Sequence, residues 1–148
     1  MTRVKRMQPV VRAVGHEEDE RATALAQADR LVHDAERRLA DLEAYRAEYA
    51  DGLGRRIASG ISATGLRDYQ AFLARLGQAI EAQAAIVADT RRTRGRAHEE
   101  WRRAAQRAKS VDHVVERWRA EERAALERRE QNETDERARQ LHHLRSNR

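Results

Sequence analysis

Apolar residues return along this chain at alternating intervals of three and four, and few folds can use so narrow a stripe. With a placed at position 4 and d at position 7 of a seven-residue frame, the seam reads Val4, Met7, Val11, Val14, Glu18, Arg21, Leu25, Ala28, Val32, Ala35, Leu39, Leu42, Arg46, Tyr49, Leu53 and Arg56. Twelve of these sixteen positions are apolar, over eight successive heptads. A run this narrow and this long favours a coiled-coil seam over the broader apolar face of a helix in a globule. A matching frame follows further on: Tyr69, Leu73, Leu76, Ile80, Gln83, Val87, Thr90, Arg94, Ala97, Trp101, Ala104, Ala108, Val111, Val115 and Trp118, twelve of fifteen apolar.

Between the two frames the pattern stops. Gly60 suits the residue after a helix end, where positive φ is needed. Ser62, Thr64 and Gly65 are turn residues, and Thr64 can cap a new helix that carries Asp68 in its first turn. A linker of about residues 59–66 is short enough to make its two helices antiparallel neighbours. The expectation is therefore a single all-α domain over residues 1–148, folded as an antiparallel coiled-coil hairpin. Helix one spans about 9–58 and helix two about 66–140. With the bend centred near residue 62, position i faces roughly position 124 − i. The C-terminal part of helix two then overhangs. Residues 119–148 read as a ragged charged tail, with seven acids against eight Arg and only Leu126, Leu141 and Leu144 as large apolar residues. Pro9 lacks an N–H and crowds the preceding turn, so the first eight residues are expected to be loosely held.

Composition matters mainly for what it excludes. The chain is 37% charged and 4% aromatic, with no Cys. There are no disulfide staples and no thiolate metal sites. Arg3, Lys5 and Arg6 could open a leader peptide, but Arg12, His16 and the run Glu17-Glu18-Asp19-Glu20 leave no apolar stretch after them. No window has the length of a membrane span, so a cytoplasmic protein is expected. His16, His33, His98, His113, His142 and His143 are too dispersed to form a metal site, and His142 and His143 diverge by about 100° on a helix. No Ser or Thr stands in a nucleophile elbow, and the glycines make no phosphate cradle. No enzyme, no metal and no cofactor is expected. Arg91 to Lys109 holds eight basic residues against Glu99 and Glu100. Such a stripe can meet an acidic surface, but an ordinary solvated coiled-coil face accounts for it better. Trp101 and Trp118 fall on the seam rather than among the basic residues as stacking platforms, so nucleic acid is not the expected partner.

One region exceeds what a seam requires. Tyr45, Leu66, Phe72 and Ile86 lie off the frame near the bend. Leu42, Tyr45 and Tyr49 are spaced i, i+3, i+7; Phe72, Leu76, Ala79 and Gln83 are spaced i, i+4, i+7, i+11. The facing rule sets the two groups at one level. They fit a thickened core that stiffens the turn or an exposed aromatic patch for a partner, and the residues alone favour neither.

The segment Leu42-x-x-Tyr45-x-x-Glu48-Tyr49-x-x-x-Leu53, then Ser59-Gly60-Ile61, then Tyr69-Gln70-x-Phe72-x-x-x-Leu76-x-x-Ala79-Ile80 resembles the FliJ family of flagellar type III export proteins. The pattern covers most of the chain and the motif covers about residues 38–83. The resemblance implies a non-enzymatic coiled-coil component of the export apparatus, similar to the γ stalk of F-type rotary ATPases. It implies binding to the flagellar export ATPase hexamer, to the large membrane component of the export gate and to export chaperones. It also implies a place at the cytoplasmic face of the inner membrane, at the flagellar base, and no small-molecule substrate. By the same resemblance the gate contact maps to Leu42, Tyr45, Tyr49, Phe72, Leu76, Ala79 and Gln83. Arg38 and Gln83 depart from the Gln and His common in the family. The ATPase contact is expected at the open end of the hairpin. The neighbouring readings are the equivalent stalk of a virulence secretion system and a basic coiled coil that binds nucleic acid or acts as a scaffold.

Overall fold

Two α-helices account for nearly all of the chain in the computed structural model, which describes residues 2–148: α1, Arg3–Ser59, and α2, Ala63–Ser146. They run 57 and 84 residues, far beyond an ordinary globular helix, and they pack against each other as a hairpin. There is no strand among the described residues.

Each helix end has a chemical cause. Thr2 caps α1 by accepting a hydrogen bond from the Lys5 N–H at 3.2 Å, and the Thr2 carbonyl accepts from Arg6 N–H at 3.1 Å. That cap lets the helix begin at Arg3, upstream of the expected start near residue 9, and carry Pro9 inside it. The loosely held first eight residues expected from Pro9 are thus helical from Arg3 onward. Proline there forfeits one backbone bond while the turns around it keep theirs. At the other end Gly60 adopts φ +98 and its N–H returns to the Ile57 carbonyl at 3.3 Å. The chain then re-enters a helix at once. Ser62, not Thr64, is the cap of α2: its Oγ accepts from the Gly65 N–H at 3.0 Å and its carbonyl from the Leu66 N–H at 2.9 Å. A side chain at Gly65 would crowd this bend, since a Cβ there would lie 3.1 Å from Ser62 Oγ and 3.2 Å from Ile61 Cγ1.

The chain forms two compact units, each drawing on both helices. In Asp19–Arg102, the buried residues Ala28, Val32 and Ala35 of α1 and Leu76, Gln83 and Val87 of α2 line the seam. The two stretches run antiparallel, because Arg21 meets Glu100, Asp29 meets Arg94 and Glu36 meets Arg91. In Met1–Glu18 with Arg103–Arg148, Ala104, Ala108 and Val115 are buried, while Val4, Met7, Val11 and Val14 are half-buried. Arg3 meets Glu121 at 2.8 Å and Glu17 meets Arg107. Both pairs fall on the facing rule. From Ala125 to Arg148 every residue is exposed, although the helix persists to Ser146 instead of fraying near 140. Ala, Glu, Arg and Gln hold that stretch helical by their own propensity.

Replacing Ser62 by Ala is expected to lower stability by about 1 kcal/mol. Thr64→Ala should change it by less than about 0.5 kcal/mol. Urea unfolding of the two variants checks this, and the opposite ranking would return the cap to Thr64.

Candidate docking surface

The chain gathers its aromatic bulk at the closed end of the hairpin. Tyr49, a seam residue of α1, stacks on Phe72 at 4.4 Å between ring centroids and on Tyr69 at 5.1 Å. One turn back on α1, Tyr45 lies 5.9 Å from Tyr49 and meets Phe72 edge-on at 6.1 Å with an interplanar angle of 81°. Each such pair adds about 0.5–1.5 kcal/mol beyond the area it buries. A two-helix seam cannot enclose four rings, so the outermost stays open: Tyr45 is 46% exposed. Tyr49, Tyr69 and Phe72 are half-buried beneath it.

The residues that sequence spacing had placed in one patch divide into two layers. Tyr45 and Ala79 are exposed, and Leu42, Tyr49 and Phe72 are half-buried. Leu76 and Gln83 are each only 8% exposed and lie in the seam. Gln83 Nε2 donates to the Ala35 carbonyl on α1 at 3.0 Å. A carboxamide at that level therefore has its own partner on the opposite helix. No buried side-chain polar atom is left without a partner among the described residues. The surface is thus a stacked aromatic cluster on a layer of seam residues. Tyr69, a seam position, belongs to the cluster as well. Its place three residues before Phe72, on the same side of the helix, was the signal that tied it to the rings.

The basic stripe of α2 is largely spent inside the hairpin. Arg91 pairs with Glu36 at 3.1 Å, Arg94 with Asp29 at 3.8 Å and Arg107 with Glu17, each reaching across to α1. Arg92 pairs with Asp89 and Arg102 with Glu99 along α2 itself. The hydrogen bonds that Arg102 donates to the Glu99 carboxylate, and then the negative charge of Glu99, raise the Arg102 pKa above the ordinary guanidinium value. Trp101 and Trp118 are half-buried. Trp101 lies 6.0 Å from the His98 ring, and the Arg3 guanidinium sits 4.9 Å over Trp118. These exposed pairs contribute about 0.2–1 kcal/mol each at most, but they fix which residues face each other. Among the described residues no cluster of His, Asp or Glu could hold a metal ion, and no helix is long and apolar enough to cross a membrane.

The family model described as Flagellar FliJ protein matches residues 3–147. No curated protein and no solved structure matches the chain.

Because Tyr49 touches three other rings and Tyr45 is the exposed member, their truncations should differ. Tyr49→Ala is expected to cost about 2–3 kcal/mol. Tyr45→Ala should cost less than about 1 kcal/mol. Thermal unfolding followed by circular dichroism checks the ranking; equal losses would make Tyr45 a structural residue.

Proposed function

This chain belongs to the flagellar FliJ protein family, and from that premise we propose that it is the central-stalk-like adaptor of a flagellar type III export apparatus. A role associated with flagellar export follows from the family itself. The finer assignment is the following. The protein binds and activates the hexameric export ATPase, touches the large membrane component of the export gate, and escorts export chaperones. It carries out no chemistry of its own and works at the cytoplasmic face of the inner membrane.

The observation that carries this reading is the ring cluster beside the bend. Tyr45 stands 46% exposed with Phe72 edge-on against it, so the cluster presents an ordered ring surface beside the bend. Exposed, pre-stacked aromatic rings are the kind of surface that concentrates binding energy, because little side-chain entropy remains to be lost on docking. The gate contact is assigned to Tyr45, Tyr49, Phe72 and Ala79 with Leu42 at their edge. Leu76 and Gln83 act from beneath by fixing how the two helices face each other. The pairing of Arg91, Arg94 and Arg107 with acids of α1 supports a protein adaptor over a nucleic-acid binder, which relies on unpaired cations.

The combined substitution Tyr45→Ala with Phe72→Ala is expected to abolish binding of the cytosolic portion of the gate component, measured by isothermal titration, while helicity by circular dichroism is unchanged. Retained binding would contradict the assignment. A large loss of helicity would mark the rings as core.

A further inference from the structure

Seam frames leave a row of residues immediately before each a position, and in an antiparallel pair these rows lie on one flank, facing each other. In the unit Asp19–Arg102 that flank is apolar well beyond the ring cluster. On α1 the row reads Leu31, Arg38, Tyr45; on α2 it reads Phe72, Ala79, Ile86. Tyr45 touches Phe72 at one end. Leu31 and Ile86 line a common groove at the other, with Arg38 also on its wall. Leu31 is 57% exposed and Ile86 49%, more open than Tyr45 itself. The opposite flank of the same unit is closed by the Glu36–Arg91 pair. The two flanks differ: one carries the paired charges of Glu36 and Arg91, and the other is apolar and bare except for Arg38.

The groove at Leu31 and Ile86 holds about 210 Å³ and is open along its length. That is below the roughly 300–1,000 Å³ of a small-molecule pocket, and its shape suits side chains arriving from another chain. Each row spans fourteen residues, about 21 Å or four helical turns. Along the outer edge of the α1 row stand Asp34, Asp41 and Glu48, seven residues apart, exposed, and without an ion pair among the described residues. Elsewhere in this unit Asp29, Glu36 and Glu100 pair across the hairpin, whereas Asp34, Asp41 and Glu48 form a free, regularly spaced acidic line beside the bare apolar side chains.

We propose that this flank is a docking groove for a single amphipathic helix of a partner protein, about four turns long. Its apolar stripe lies on Tyr45, Phe72, Ala79, Ile86 and Leu31, and its Lys or Arg edge meets Asp34, Asp41 and Glu48. The proposal rests on the reading of the ring cluster as a partner surface; it extends that surface two heptads away from the bend and names the chemistry of what it takes.

The test titrates the full chain with two helix-stabilised synthetic peptides that share one leucine stripe, one carrying Lys along a flanking edge and the other Glu at the same positions. The Lys peptide is expected to bind roughly tenfold or more tightly than the Glu peptide. Leu31→Ser with Ile86→Ser should weaken the Lys peptide roughly tenfold, and Asp34→Lys with Asp41→Lys should reverse the preference. Equal affinity for the two peptides, no binding of either, or unchanged binding by the Leu31/Ile86 variant overturns the proposal. Sedimentation showing self-association that this variant abolishes also overturns it, by assigning the flank to a second copy of the chain. Binding of the gate component separates the two readings. Loss in Tyr45→Ala/Phe72→Ala but not in Leu31→Ser/Ile86→Ser removes the extension alone; retention in both removes the ring cluster as a contact as well.

Discussion

A two-helix seam that can fully enclose only small side chains governs everything else in this molecule. Its buried positions are mostly Ala and Val, and Val32 is the largest side chain that is fully enclosed. Small seam residues let two helix backbones approach closely, but they bury little area per turn. Stability then depends on many weak, repeated contacts rather than on a deep core. A corollary is that the hairpin has no interior in which to hide bulk. Tyr, Phe, Leu and Ile residues that fall one place off the seam are left on its flank, where they become surface.

The same poverty explains the work assigned to polar groups. With so little apolar area to distinguish one alignment from another, a shift of the two helices by a heptad would cost little in burial alone. The Glu36–Arg91 and Asp29–Arg94 pairs oppose such a shift at the rim, while Gln83 satisfies its buried amide on the Ala35 carbonyl within the seam. Part of the positive charge of α2 is thus held in pairs that fix this alignment.

Most of this architecture is written directly in the spacing of residues. Every position of the two seam frames is buried or half-buried except Arg21, Arg46 and Arg56, whose long side chains carry their charge to water from a seam Cα. The bend at Gly60 was equally legible, since only a residue tolerant of positive φ suits that point. What spacing could not settle was the choice between near-equivalent candidates. Ser62 and Thr64 are both capping residues two apart, and the backbone bond made by Leu66 decides for Ser62. Thr2 was passed over because Pro9 drew the helix start toward itself. Leu76 and Gln83 were grouped with Phe72 and Ala79 because a 3.6-residue period sweeps a broad face, whereas a seam and its flank differ by a single residue. Leu31 gave no signal at all by itself. One leucine off the frame is unremarkable until the opposite helix sets Ile86 beside it.

The claim on which the account stands is that residues before and after Gly60 lie against each other within one chain. Pulsed electron spin resonance on Glu36→Cys with Arg91→Cys, spin-labelled in a chain that has no cysteine of its own and diluted with unlabelled protein, measures this directly. A hairpin predicts a short separation, set by about 10 Å between helix axes plus the two label arms. A single continuous helix pairing with a second copy would hold the labels about 80 Å apart within each chain, and that result would contradict it.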